Sequence, residues 1–260
     1  MLWLISITDF LIRTNICFQH NNERVLNMKT TFKMSVILFL FISTFQIEAA
    51  IIYDQPYDGI NIADAYASQN DSASEGYGDF AKAYDNFTLD SATAIGKVKW
   101  YGEFFLNEEV FSVAPDPAPI SNFLIQFWSD NSGPNAELFS ETILGNADET
   151  FVKKIGNFNL YKYGMDLSLP FKALAGTTYW LSIQPTLDYA PQWGWYQGKG
   201  GDGEAYQDYI LGDVLGDGPI LTDLAFSLAS VPEPITILLL SFGLIGFMIA
   251  KHYGPKSYIR

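Results

Sequence analysis

The chain has 260 residues, enough for one or two domains, and carries 29 acidic against 15 basic side chains. Residues 51–230 hold 25 of the acids and 8 of the bases, a formal charge of −17 with no arginine. That balance excludes nucleic-acid binding, which needs cationic side chains to displace phosphate counterions, and it disfavours anionic lipid. The single cysteine, Cys17, and both histidines, His20 and His252, lie outside this region. A disulfide, a Ser-His-Asp triad, a Cys-His pair and a His/Cys zinc site are therefore ruled out within it, which leaves carboxylates as its acid–base chemistry.

In chain order, the first hydrophobic stretch, Met1 to Phe18, is broken by Asp9 and Arg13 and makes a poor membrane span. The second has the plan of a secretory signal peptide, predicted as a helix over residues 28–50. Lys29 and Lys33 form its basic start, Val36 to Phe45 its apolar centre, and Glu48-Ala49-Ala50 its small-residue end. Cleavage is expected after Ala49 or Ala50. Met28 is the expected start of translation and residues 1–27 an upstream extension; the other reading is a cytoplasmic extension ahead of a signal anchor. Both readings put the domain outside the cytoplasm, with the Sec export machinery as a partner.

Residues 51–80 are small, polar and rich in Asp, Ser and Asn, and read as a loop-rich lead-in with one edge strand at Ala50–Tyr53. From residue 81 to 230 short runs of period-two alternation predict strands. Phe87 and Leu89, Val98 and Trp100, Phe123, Ile125 and Phe127, Tyr179, Leu181 and Ile183, and Leu224, Phe226 and Leu228 each mark one face of a strand. Weaker strands are expected at Glu137–Ile143, Phe158–Asp166, Gln192–Tyr196 and Ala205–Ile210. Their separators are turn-formers: Asp130-Asn131-Ser132-Gly133-Pro134, Leu174-Ala175-Gly176 and Gly198 to Gly203. About nine such strands without an amphipathic helix predict an all-β fold, an antiparallel β-sandwich of jelly-roll type.

Three groups of residues in this region are candidate sites. Sugar rings stack on exposed indoles, and alternation puts Trp128 with Gln126, and Trp180 with Ser182 and Gln184, opposite the apolar faces of their strands. Trp193 and Trp195 share another face and are the pair expected to be most exposed. Core or edge packing is the favoured role for all four, since large aromatics commonly fill sandwiches. The oxygen-rich turns with Asp202 and Glu204, and with Asp213 and Asp217, are the places where Ca²⁺ would bind, although neither has the EF-hand spacing. An extracellular carbohydrate-active enzyme would need two opposed carboxylates, for which Glu103, Glu108 and Glu109 are the best placed. With 25 acids in the region some pair is always available, so no catalytic residue and no enzymatic function is assigned.

The last segment opens with Val231-Pro232-Glu233-Pro234, where two prolines end the folded domain. An uncharged apolar run, Ile235 to Ala250, follows, and then the basic residues Lys251, Lys256 and Arg260. As a helix the run covers about 24 Å, slightly short of a roughly 30 Å hydrocarbon core, a deficit that Val231, Lys251 and Tyr253 at the interfaces can make up. Order, spacing and position of Pro232, Glu233 and Pro234, the helix at 235–250 and the basic end resemble the PEP-CTERM sorting signal of Gram-negative bacteria. The basic residues here are more dispersed than the Arg-rich cluster usual in that family. The resemblance implies an exported protein, anchored in the inner membrane as a precursor, recognised by the membrane protease exosortase, and passed to the cell surface or to extracellular polymer. Exopolysaccharide is the partner this implies.

A second resemblance covers residues 81–228. The series Tyr84-Asp85-Asn86-Phe87-Thr88-Leu89, Ile95 to Trp100, Phe123 to Asn131 with Gly133-Pro134, Leu174 to Ile183, Trp193-Gly194-Trp195 and Asp223 to Phe226 is similar to the uncharacterised β-sandwich ectodomain carried by many PEP-CTERM proteins. It implies a fold and no activity. Together these readings describe an exported, membrane-tethered protein with a structural or glycan-binding sandwich.

Overall fold

A computed structural model describes residues 49–59, 65–105, 116–156, 158–209 and 218–231, together with Gly243. The upstream extension, the signal peptide up to Glu48 and, apart from Gly243, the tail beyond Val231 lie outside these residues. Among the described residues no helix is long and apolar enough to cross a membrane.

The described residues form fifteen strands. They are β1 (Ile51–Gln55), β2 (Ala65–Ala67), β3 (Gln69–Asp71), β4 (Gly78–Thr88), β5 (Thr93–Phe105), β6 (Asn122–Asp130), β7 (Pro134–Leu144) and β8 (Thr150–Ile155). Then follow β9 (Phe158–Ala173), β10 (Thr178–Leu187), β11 (Gln192–Gly198), β12 (Ala205–Tyr209), β13 (Gly218–Ile220), β14 (Asp223–Leu224) and β15 (Phe226–Ser230). Two sheets of eight and seven strands pack face to face as a β-sandwich.

Sheet one is built around β5. One edge of β5 carries β9 from Thr93 to Glu103; the other carries β15 along Ile95–Trp100 and β11 along Gly102–Phe105. Strand β1 lies outside β15, β8 outside β9, and β2 and β14 on β11. Sheet two runs β13-β12-β4-β3-β10-β6-β7, with β4 also paired directly to β10. All strand pairs are antiparallel except β3 with β10, which are parallel through Thr186↔Asn70 and Leu187↔Asp71. The lead-in is more ordered than its composition suggests, since β1, β2, β3 and the first residues of β4 fall within 51–80.

Alternation sets the inner faces. Phe123, Ile125 and Phe127 of β6 and Tyr179, Leu181 and Ile183 of β10 point into one core with Val98, Trp100, Phe226 and Leu228 of sheet one. The core is largely aromatic: Phe127 stacks on Phe171 at 4.4 Å between centroids, and Trp100 stacks on Tyr163 at 5.7 Å. Each such ring buries roughly 150–250 Å², a gross stabilisation of about 4–6 kcal/mol before conformational entropy is subtracted. One glycine is required for this packing. A Cβ built at Gly102 would lie 2.3 Å from the Trp193 ring and 2.9 Å from the Gly194 carbonyl oxygen, so any larger residue displaces the indole.

Candidate functional site

The outer face of sheet two holds the first pair of predicted aromatics. Strands β6 and β10 adjoin in a register that sets Trp128 opposite Trp180, and Gln126 opposite Ser182. The platform foreseen for these two tryptophans is thus assembled, but it is largely closed by its own contacts. Trp180 is only 5% exposed and donates its indole N–H to Asp130 Oδ1 at 2.8 Å. Trp128 is half-buried and donates to Ser182 Oγ at 3.0 Å; that hydroxyl in turn donates to Gln126 Oε1 at 3.2 Å, and the Gln126 amide donates to Glu137. The Lys82 ammonium lies 5.9 Å over the Trp128 ring, and Tyr84 meets that ring edge-on at 5.7 Å. Burial, reinforced by the Asp208 carboxylate, pushes the Tyr84 phenol well above its ordinary range, so it stays a neutral donor to Asp208.

Trp193 and Trp195 correct the expectation of exposure. Both are fully buried in the core, because β11 sits inside sheet one between β5 on one side and β2 and β14 on the other. Trp193 meets Phe123 at 5.8 Å and Tyr163 at 5.9 Å, and its indole N–H donates to Tyr163 Oη at 3.2 Å. Trp195 donates to the Ala225 carbonyl oxygen at 3.0 Å. Neither offers a face to a sugar.

The Asp/Gly turn at 200–204 is organised by Asp223 from a distant strand and by its own Asp202. Asp223 accepts the amide N–H of Gly201 at 2.9 Å and of Gly203 at 2.7 Å. Asp202 accepts from the Asn86 side chain at 2.9 Å and from the Glu204 amide at 3.0 Å. Beneath them Asp85, on the inner face of β4, accepts Gln55 Nε2 at 2.9 Å, Leu224 N at 2.5 Å and Asn86 N at 2.7 Å, tying the two sheets together. Desolvation raises the Asp85 carboxyl well above the usual range, and the charges of Asp223 and Asp202 push the same way against the lowering effect of the backbone donors. Among the described residues no three acidic, histidine or cysteine side chains stand close enough to hold one metal ion. Asp213 and Asp217 lie outside the described residues.

Of the carboxylates considered for catalysis, Glu103 is fully buried inside β5, and Glu108 and Glu109 fall outside the described residues. Alternation along β9 gathers a different group. Asp116 accepts the Tyr161 hydroxyl at 2.9 Å and the Asn159 amide at 2.9 Å, and Glu149 accepts the Tyr163 hydroxyl at 2.9 Å. Burial raises both carboxyls, and the charge of Asp116 raises Glu149 further. Each is committed to a tyrosine that packs on the core. Among the described residues the exposed aromatics are Tyr77, Phe151 and Tyr189, at 57%, 56% and 36%; Tyr77 and Tyr189 sit in turns, where no strand pattern marks them.

The family of uncharacterised sequences described as "Domain of unknown function (DUF7901)" matches residues 53–208, from β1 through β12. The chain belongs to the DUF7901 family. The PEP-CTERM protein-sorting motif matches residues 230–251, and no curated protein matches the chain. The sorting motif marks the DUF7901 protein as an exported chain, anchored at the membrane, processed by the membrane protease exosortase, and destined for the surface. The motif begins where the DUF7901 sandwich ends. Ser230, the last residue of β15, donates its N–H to the Ala50 carbonyl oxygen at 2.9 Å, and Val231 donates to Ala94 at 3.1 Å. The two ends of the DUF7901 sandwich are hydrogen-bonded neighbours.

Proposed function

We propose that the protein is a non-catalytic binding and structural component of the surface or extracellular matrix of a Gram-negative bacterium, with exopolysaccharide as its partner. The signal peptide at 28–50 directs it to the Sec machinery, and the tail holds it as an inner-membrane precursor. An exosortase-type protease then acts at Pro232, Glu233 and Pro234, with the span 235–250 and Lys251, Lys256 and Arg260 left behind. No cofactor is needed.

The observation that carries this reading is the pairing of β1 with β15. Ile51 opposes Ala229, and Ala50 is bonded to Ser230, so the chain enters and leaves the sandwich side by side and neither proposed cut removes a strand. Intact-mass measurement and terminal sequencing of protein recovered from the cell surface and medium test it. A chain beginning at Ala50 or Ile51 and ending near Pro234 is expected. A mature chain that retains 235–260 refutes the processing.

A further inference from the structure

The two ends of the sandwich differ in what they present. At the end where the sorting motif begins, Ile95 of β5 pairs with Ser230. At the other end, Phe105 pairs with Gln192, the first residue of β11. The thirteen residues of β5 between Thr93 and Phe105 span on the order of 40 Å. Tyr189 lies three residues before Gln192, and the turn carrying Tyr77 closes against it through the Ser72 amide, which donates to the Leu187 carbonyl oxygen at 3.1 Å. Among the described residues, the β3–β4 and β10–β11 turns therefore lie at this far end.

Three rings meet there. Tyr77 and Tyr189 are 5.9 Å apart, and each stands edge-on to Phe80, at 6.1 and 5.9 Å. Phe80 is buried and forms the floor; the two tyrosines are the open walls. One carboxylate positions both. Asp71, itself 5% exposed, accepts the backbone N–H of Tyr77 on Oδ2 at 2.8 Å and that of Tyr189 on Oδ1 at 2.9 Å, with Ala73 N at 3.0 Å. The fit needs glycine at position 76, where a Cβ would lie 2.5 Å from Asp71 Oδ2. Ser72 Oγ donates to Asp188 Oδ1 at 2.7 Å beside the rings, so a polar edge flanks the aromatic one.

We infer that this tip is a glycan-binding site for neutral hexopyranose polymers, built on Tyr77 and Tyr189. The inference rests on the proposed surface role, which turns the end opposite the tail outward. Pyranose rings present axial C–H bonds that pack on aromatic faces, and tyrosine gives large contact area at small entropic cost when it is held in place beforehand. Asp188 and Ser72 accept and donate hydrogen bonds to the sugar hydroxyls. Charge fixes the class. Of the exposed acids of the two turns, Asp79 is paired with Lys82 at 3.8 Å, while Glu75 and Asp188 have no lysine or arginine within residues 71–81 and 183–198, so a polyuronate is repelled where a neutral hexan is not.

The test uses the mature protein recovered from cells, applied to immobilised β-1,4-glucan, β-1,3-glucan, β-mannan and polygalacturonate at physiological ionic strength. Retention on at least one neutral hexan is expected, with at least tenfold weaker binding for Tyr77→Ala and Tyr189→Ala and near-native binding for Tyr77→Phe. Both alanine variants replace exposed rings and are expected to keep the native Tm, which is measured alongside. No retention on any neutral hexan, stronger retention on polygalacturonate, or equal binding by the alanine variants would overturn the site. Because binding is read on purified protein, its failure is separate from a failure of the terminal mapping that tests the sorting.

Discussion

Replacing Trp193 with alanine separates a core tryptophan from a sugar platform. The side chain is fully buried, packs edge-on against Phe123 and Tyr163, and donates to Tyr163 Oη. Truncation leaves a cavity walled by rings that cannot collapse into it, because Phe123 and Tyr163 are already fixed against Trp100. The cost is about 3–5 kcal/mol, a large share of the roughly 5–15 kcal/mol that holds a domain folded. For a sandwich of this size that lowers Tm by about 6–20 °C. Tyr163 keeps Glu149 as its acceptor, so the loss is one of packing more than of unsatisfied polar groups. Trp193→Phe, which restores most of the ring, should recover more than half of the lost stability. Thermal unfolding of the mature protein, followed by near-UV circular dichroism, reads both variants. A Tm within 2 °C of wild type for Trp193→Ala, with polysaccharide retention lost, would refute the packing argument.

Other substitutions probe the rest of the structure. Gly102→Ala places a methyl against the Trp193 ring and should cost about 1–3 kcal/mol by overpacking; denaturant midpoints check it, and an unchanged midpoint shows that the β5–β11 contact is looser than described. Asp85 has a raised folded-state pKa, so between the ordinary carboxylate range and that raised value the folded state holds a proton that the unfolded state has released. Stability should therefore fall as pH climbs from about 4 through that window, by up to about 1.4 kcal/mol per pH unit, with Asp116 and Glu149 contributing in the same direction. Asp85→Asn should flatten the profile of Tm against pH, and an identical profile would remove Asp85 from the explanation. Replacing Pro232, Glu233 and Pro234 by alanine should leave a membrane-bound, unprocessed chain on immunoblots of cell fractions; normal release contradicts sorting through that motif.

Much of the fold is legible because sheet two follows simple alternation. The inward set of β6 and β10 and the outward Trp128 and Trp180 could be read residue by residue, and their neighbouring strands brought the two indoles into register. Core packing holds for Trp193 and Trp195, but the expectation that they are the most exposed of the four tryptophans fails for a physical reason. Strand β11 is flanked on both edges, and Gly194 and Tyr196 are buried along with the tryptophans, so alternation there does not separate core from solvent. Strands β2 and β3 are three residues long, and β3 reads Gln-Asn-Asp, a loop composition. It is held by side chains: Gln69 accepts Trp193 N at 2.7 Å, and Asn70 donates to Thr186 at 3.2 Å. The tip was invisible for a related reason. Tyr77 and Tyr189 are 112 positions apart, and it is the pairing of β3 with β10 and the Asp71 carboxylate, reaching two turns at once, that make them neighbours.

The position of β15 bears on when the protein can fold. This final strand lies between β1, the first, and β5, so sheet one has a slot in its middle until the end of the domain has been made. Closing it joins the first and last strands of the sandwich, the kind of contact that folds slowly. An export machine that accepts unfolded polypeptide gains from such delay. A chain truncated anywhere before Phe226 has neither the strand that completes the sheet nor the sorting motif that follows it. Completion of the fold and possession of the address thus arrive within a few residues of each other, and incomplete copies are left open to proteolysis.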